Sequence, residues 1–254
     1  MDISRYKGKV PFVTTDQMRE VDRAMIEDFH IELIQMMENA GRNLAQLARV
    51  RFLDKSPVNK KVLVLAGSGG NGGGALACAR HLNNWGAEVN VFLSRPSDTL
   101  TPATFHQLET LHRMKVPISL PGAIPQLEGT DLIVDGIIGY SLSGPPQGPA
   151  AELIDWANQQ GFPILALDVP SGIEATTGQV FDLAIRATAT MTLALPKTGL
   201  QSPKAQTFVG ELYLADIGVP SRLYAERQWS FQVGPIFAES DILRIDSASL
   251  NKTN

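Results

Sequence analysis

The sequence predicts an α/β protein of Rossmann-like, doubly wound architecture, a mostly parallel sheet with two N-terminal helices ahead of it. Three observations predict it. From residue 62 onward, short apolar runs alternate with amphipathic helical patterns. The first run enters Gly67-Ser-Gly-Gly-Asn-Gly-Gly-Gly74, six glycines in eight positions, and a helical pattern follows at once. Polar residues stand at or just after the carboxyl ends of later runs, where ligands bind in open parallel sheets.

Thr14-Thr-Asp-Gln17 offers Thr14 as a helix cap and Gln17 as its capping-box partner, and Met18, Val21, Met25 and Ile26 recur at helical spacing. A second helix is predicted over 33–52. Its Ala40, Gly41, Ala45 and Ala48 suit close contact, either within the chain or with another subunit. Strands are predicted at 62–66, 89–94, 132–134, 164–167, 189–194 and 212–215, with helices at 73–85, 102–114 and 150–160. Strands apolar on both faces need cover on both, the pattern of a parallel sheet. The length, 254 residues, demands no second domain, and residues 1–254 read as one. The polar tail, 247–254, is expected to fray.

Composition removes several classes of function. A formal net charge of −4 with no dense Lys/Arg run argues against a nucleic-acid partner. No apolar run approaches the roughly 18 residues needed to cross a bilayer, and no secretion leader opens the chain, so a cytoplasmic protein with no membrane partner is expected. The one cysteine, Cys78, lies in a small-residue helical context and reads as a packed structural thiol. His81, His106 and His112 fall in helical patterns, where surface or helix-face roles are expected, and none is assigned to catalysis.

The glycine loop lets backbone N–H groups approach an anion at a helix N-terminus, which makes a phosphate-bearing ligand its natural guest. The acid that reads a ribose in ordinary nicotinamide dehydrogenases is missing, since Ser94-Arg95-Pro96 follows the next strand. Asp135, at a strand end, leads a second loop rich in glycine and hydroxyls, and Asp168-Val-Pro-Ser-Gly172 repeats that arrangement. Together with Asn71 and Ser171 these carboxylates form an oxygen-rich set suited to Mg²⁺, Ca²⁺ or a weakly charged cation. Lys197 follows another strand in a loop that reads as mobile. There it either meets a phosphate, tunes Asp168 or is simply solvated.

Six ordered motifs carry a family resemblance: Met37-Glu-Asn-Ala-Gly-Arg42, the glycine loop with Ala79-Arg-His-Leu82, Asp135-Gly-Ile-Ile-Gly139, Asp168-Val-Pro-Ser-Gly-Ile173, Leu195-Pro-Lys-Thr-Gly-Leu200 and Asp216-Ile-Gly-Val-Pro220. Over residues 13–220 the chain resembles the NAD(P)H-hydrate epimerases, the YjeF N-terminal-type proteins. The resemblance implies a Rossmann-like fold, commonly a homodimer, that binds hydrated NADH or NADPH and a potassium ion. It implies epimerisation at the ring carbon bearing the added hydroxyl, as part of cofactor repair. Carried over by position, Asn71, Asp135 and Ser171 correspond to the potassium ligands. Gly70, Asn71, Gly72, Gly73 and Gly74, then Gly139, Tyr140, Ser141, Leu142, Ser143, Gly144 and Pro145, and also Asp168, correspond to contacts with the hydrated dinucleotide. Asp168, assisted by Lys197, is the expected catalytic pair. An ADP- or ATP-dependent dehydratase is expected on a separate polypeptide. Where the family usually reads Asn-Asn-Gly-Gly-Asp-Gly, this chain reads Gly70-Asn-Gly-Gly-Gly-Ala75, with an amide lost at Gly70 and a carboxylate at Gly74. The alternative is a noncatalytic homologue that binds a nucleotide or metabolite and acts through its dimer surface.

Overall fold

A computed structural model describes residues 3–125, 129–227, 229 and 231–245. The chain opens with a strand, β1 (Ser4–Tyr6), and then forms α1 (Thr15–Glu27) and α2 (Leu33–Arg51). The alternating region follows as β2 (Lys61–Ala66), α3 (Gly70–Asn84), β3 (Glu88–Leu93), α4 (Pro102–Arg113), β4 (Ile118–Ser119), β5 (Leu132–Gly136), α5 (Pro149–Gln159) and β6 (Ile164–Leu167). It ends with β7 (Ala189–Leu193), α6 (Pro203–Val209), β8 (Glu211–Ala215), α7 (Ser221–Ala225) and β9 (Ile242–Ile245).

These strands form one nine-stranded sheet in the order β1-β9-β8-β7-β6-β5-β2-β3-β4. Every pairing is parallel except β8 with β9. Within it, β4-β3-β2-β5-β6-β7 is the doubly wound order whose direction of winding reverses between β2 and β5. Alternate residues of β2 explain why its sequence is apolar throughout. Val62, Val64 and Ala66 join the core shared with α2, α3 and α4, while Leu63 and Leu65 join the core shared with α5.

The predicted helix cap is present, with Thr14 accepting from the Gln17 N–H and the Gln17 side chain accepting from the Thr14 N–H. The small residues of α2 are used inside the chain. A methyl group on Gly41 would lie 2.4 Å from Ala77 Cβ and 2.6 Å from the Gly74 carbonyl oxygen, so α2 and α3 touch backbone to backbone there. Cys78 is buried in that same core, and burial pushes its thiol upward in pKa.

Three expectations need correction. A strand precedes the two N-terminal helices, and β1 could not be read from three residues whose partner, β9, lies at the far end of the chain. The helix predicted from residue 73 begins at Gly70, because half of the glycine loop is its first turn. His81 is buried rather than a free helix-face residue, with Nε2 2.8 Å from Glu38 Oε1. The tail predicted to fray lies outside the described residues.

Candidate functional site

The reversal between β2 and β5 opens a cavity of about 640 Å³. Its floor begins at the turn from β2 into α3. A Cβ on Gly67 would lie 1.8 Å from the Ile137 carbonyl oxygen, and one on Gly72 would lie 1.9 Å from the Gly67 carbonyl oxygen, so this turn closes only without side chains. Ser68, Gly69, Gly70 and Asn71 line the cavity. Gly72, Gly73 and Gly74 are buried within α3 and do not line it. They give packing room instead: Cβ atoms on Gly73 and Gly74 would meet Met37 Sδ at 2.5 Å and Leu167 Cδ2 at 2.9 Å.

The loop after β5 supplies the opposite wall. Gly139, Tyr140, Ser141, Leu142, Ser143, Gly144 and Pro145 all line the cavity. Met18 and Asp22 from α1, with Leu33, Met36, Met37 and Ala40 from α2, complete a largely apolar side. α2 is held to the segment after β8 by the Asn39 and Asn43 side chains, which donate to the carbonyls of Ile217 at 3.3 Å and Asp216 at 2.8 Å. The motif around Asn39 and the motif after β8 are thus one contact.

At the end of β6, Asp168 adopts a left-handed backbone conformation with φ +66°, which an aspartate accepts more readily than most residues. Its Oδ1 receives the Lys197 ammonium, which also donates to the Leu193 carbonyl at 2.8 Å. Oδ1 further accepts from the Leu193 N–H at 3.3 Å and the Thr192 hydroxyl at 3.4 Å. The three bonds to Asp168 all use Oδ1, and Asp168 and Lys197 both line the cavity. Lys197 is wholly buried, not a mobile loop lysine. Its segment is fixed by the Val13 N–H donating to the Pro196 carbonyl and the Thr198 N–H donating to the Val13 carbonyl, each at 2.9 Å.

Asp135 falls within β5 and is completely buried. The Ser171 hydroxyl donates to its Oδ1 at 2.6 Å, the Ser171 N–H to its Oδ2 at 2.9 Å, and the Ile137 N–H to Oδ1 at 3.2 Å. Burial pushes its carboxyl up to about 6, against the lowering effect of those bonds. Asn71 packs against Gly139, on which a Cβ would sit 3.1 Å from Asn71 Oδ1, and the N–H of the preceding Ile138 donates to the Ser171 hydroxyl at 2.8 Å. Asn71 Nδ2 is buried with no hydrogen-bond partner among the described residues. Among the described residues no group of three His, Cys, Asp or Glu could hold a metal, so any cation here would rely on amide, hydroxyl and carbonyl oxygens beside the one carboxylate.

Asp22 was not singled out from the sequence. It lies four residues after Met18, one turn along the buried stripe of α1, and that acid among apolar neighbours was the available signal. The Tyr140 hydroxyl donates to Asp22 Oδ2. Burial raises the Asp22 carboxyl above its ordinary range despite this bond, and burial followed by the Asp22 charge raises the Tyr140 phenol.

The strand order, the glycine turn at the reversal point and the cavity above it define a Rossmann-like α/β protein. The chain belongs to the YjeF N-terminal family, matching the description "YjeF-related protein N-terminus" over residues 33–199. It is 44% identical over 216 residues to the NAD(P)H-hydrate epimerase of Dehalogenimonas lykanthroporepellens, covering 84% of each chain. It is 33% identical to the NAD(P)H-hydrate epimerase of Rhodopirellula baltica, covering 87% of this chain and 89% of that one. It also matches the bifunctional NAD(P)H-hydrate repair enzyme Nnr of Moorella thermoacetica at 37% identity, over 86% of this chain but only 42% of that protein. The crystal structure of yeast ynu0 superposes with a TM-score of 0.78 at 26% identity, covering 92% of this chain and all of the yeast chain.

Proposed function

We propose that this protein epimerises hydrated NADH and NADPH, interconverting the R and S forms at the hydroxyl-bearing ring carbon in nicotinamide cofactor repair. Family membership and relatives named for this activity support the reaction, and a noncatalytic role is not favoured. The observation that carries the chemistry is the buried Asp168–Lys197 pair, with Asp168 Oδ1 committed to protein donors and the residue facing the cavity.

That carbon also bonds the ring nitrogen. When the carbon–oxygen bond breaks, the hydroxyl takes a proton and leaves as water, and the nitrogen lone pair forms an iminium cation. Water then adds to either face and returns the proton, so configuration is lost without net oxidation. Asp168 stabilises the developing positive charge or moves the proton, with Lys197 assisting by fixing its orientation. Gly70, Asn71 and the stretch from Gly139 to Pro145 hold the dinucleotide, with the N–H groups of the first turn of α3 directed to its phosphates.

Asn71, Asp135 and Ser171 fit a potassium ion. A half-turn of the Asn71 amide would put its oxygen where the unpartnered nitrogen stands, and Asp135 and Ser171 would add one carboxylate and one hydroxyl. When bound, the ion would supply positive charge beneath the glycine turn. We further propose a homodimer, and an ADP- or ATP-dependent dehydratase that consumes one epimer.

The test is conversion of purified single-epimer hydrated NADPH, followed by chiral separation, with and without potassium. Catalysis above the spontaneous rate is expected, and Asp168→Asn should lower it by roughly a hundredfold or more. Full activity in that variant would remove Asp168 from the proton-transfer role.

A further inference from the structure

One positive charge at the cavity's edge forms no ion pair among the described residues. The segment from Ser94 to Thr101 forms an arch over the glycine turn, anchored at both feet. The Ser94 N–H donates to the Ala66 carbonyl at 2.9 Å, and the Thr101 N–H donates to the Ser68 carbonyl at 3.0 Å. The Thr104 hydroxyl adds a bond to the Gly69 carbonyl at 2.9 Å. Arg95 therefore belongs to the same rigid unit as the turn, and it lines the same cavity.

Among the described residues two basic side chains line that cavity, Arg95 and Lys197. Lys197 is buried and committed to Asp168. Arg95 is exposed and, among the described residues, makes no hydrogen bond or ion pair. The lining carboxylates, Asp22 and Asp168, belong elsewhere in the cavity: Asp22 is bonded to Tyr140, and Asp168 ends β6. In the sheet order β6-β5-β2-β3, that strand is three spacings from β3, about 14 Å.

Position gives this unpaired guanidinium a meaning. β3 lies beside β2 with Leu93 opposite Ala66, and Arg95 follows its end by two residues. In Rossmann-like sheets the end of this neighbouring strand meets the adenosine ribose. An acid there binds the free 2′-hydroxyl, whereas an arginine nearby accommodates a 2′-phosphate. The guanidinium fork donates in pairs to phosphate oxygens, and the one carboxylate of the arch, Asp98, is exposed, lies outside the cavity lining and forms no ion pair with Arg95.

We propose that Arg95 binds the 2′-phosphate and makes hydrated NADPH the preferred substrate over hydrated NADH. This rests on the epimerase reading above and names the form of substrate that its cavity selects. Arg95 is a specificity residue, so its contribution belongs in KM, with kcat unchanged.

The test compares kcat/KM for the two hydrates in the wild type, Arg95→Gln and Arg95→Lys. Arg95→Gln should lose about 10- to 100-fold on hydrated NADPH, through KM, and less than about threefold on hydrated NADH, with Arg95→Lys intermediate. Calorimetric titration with adenosine 2′,5′-bisphosphate and with AMP reads the same contact without turnover. The wild type should prefer the bisphosphate, and Arg95→Gln should erase that preference. Equal losses on both hydrates would place Arg95 on the shared diphosphate and overturn the proposal, as would unchanged kinetics on both. If neither hydrate is turned over, the epimerase reading fails separately. The two nucleotide titrations then decide Arg95 alone: a lost preference sustains it, and no preference in the wild type overturns it.

Discussion

The Lys197 ammonium and the Asp168 carboxylate form an ion pair at the end of the sheet, with both side chains almost completely removed from solvent. Two strands and a left-handed backbone turn hold the pair in place. A buried carboxylate stripped of its cation is costly, so Lys197→Met should destabilise the protein by about 3–5 kcal/mol. Adding Asp168→Asn to that variant should recover part of the loss. Urea denaturation of the two single variants and the double variant measures the coupling. Additive effects would mean that the pair contributes nothing as a pair.

Two of the three departures in the glycine turn, Gly70 and Gly74, should behave oppositely when the family residues are restored. Gly70 has open space around its Cβ position, so Gly70→Asn should change stability by less than about 0.5 kcal/mol. At Gly74, Cβ would press on Leu167 Cδ2 at 2.9 Å and bring a carboxylate into the core, so Gly74→Asp should cost about 2 kcal/mol or more. Thermal unfolding of both variants gives the comparison, and a Gly74→Asp protein as stable as the wild type would show that the core can part there.

Asp22 should make stability depend on pH in an unusual direction. Its folded pKa is raised by burial above the ordinary 3.8, so the folded state binds this proton more tightly than the unfolded state. Its contribution is greatest below 3.8 and declines as pH rises toward the raised folded value. Asp22→Asn removes that decline, so the variant should gain on the wild type with rising pH across this window. Chemical denaturation at several pH values checks it, and a constant difference between the two proteins would contradict it.

His81 acts with the opposite sign. Burial lowers its pKa below 6.5, more than Glu38 raises it, so the unfolded state takes up the proton first. Stability contributed by neutral His81 is present above about 6.5 and is lost as pH falls toward the lowered folded value. His81→Gln should flatten the stability profile between pH 7 and 5, read by urea midpoints. An unchanged slope would assign it to other groups.

Potassium should stabilise the folded chain. At 100 times its dissociation constant, an ion bound only to the folded state adds about 2.7 kcal/mol. Thermal shifts in potassium, compared with a bulky organic cation at equal ionic strength, should show this in the wild type and a much smaller effect in Asn71→Ala. Equal shifts in both proteins would take Asn71 out of the ligand set.

The alternation of apolar strands and helices was readable because the central strands are covered on both faces, as in Val62 to Ala66. The glycine turn, Asp135, Asp168 and Ser171 were readable because they stand at or near strand ends, where the fold makes polar residues conspicuous. The burial of Lys197 was not readable, since it depends on a bridge to Val13, more than 180 residues earlier. The Asp22 bond to Tyr140 was hidden for the same reason: each residue looks ordinary locally, and only the docking of α1 over the loop after β5 makes them neighbours. Packing by Gly73 and Gly74 was likewise hidden, because a glycine gives the same local signal whether it admits a phosphate or a neighbouring side chain.

The pairing of β1 with β9 sets a timetable for the ribosome. Ser4 emerges about 240 residues before its partner Leu243. Throughout synthesis of the intervening helices and strands, β1 has no mate, and β8 presents a bare margin until β9 arrives to cover it. The central strands can already have assembled while this border of the sheet waits for its last two members.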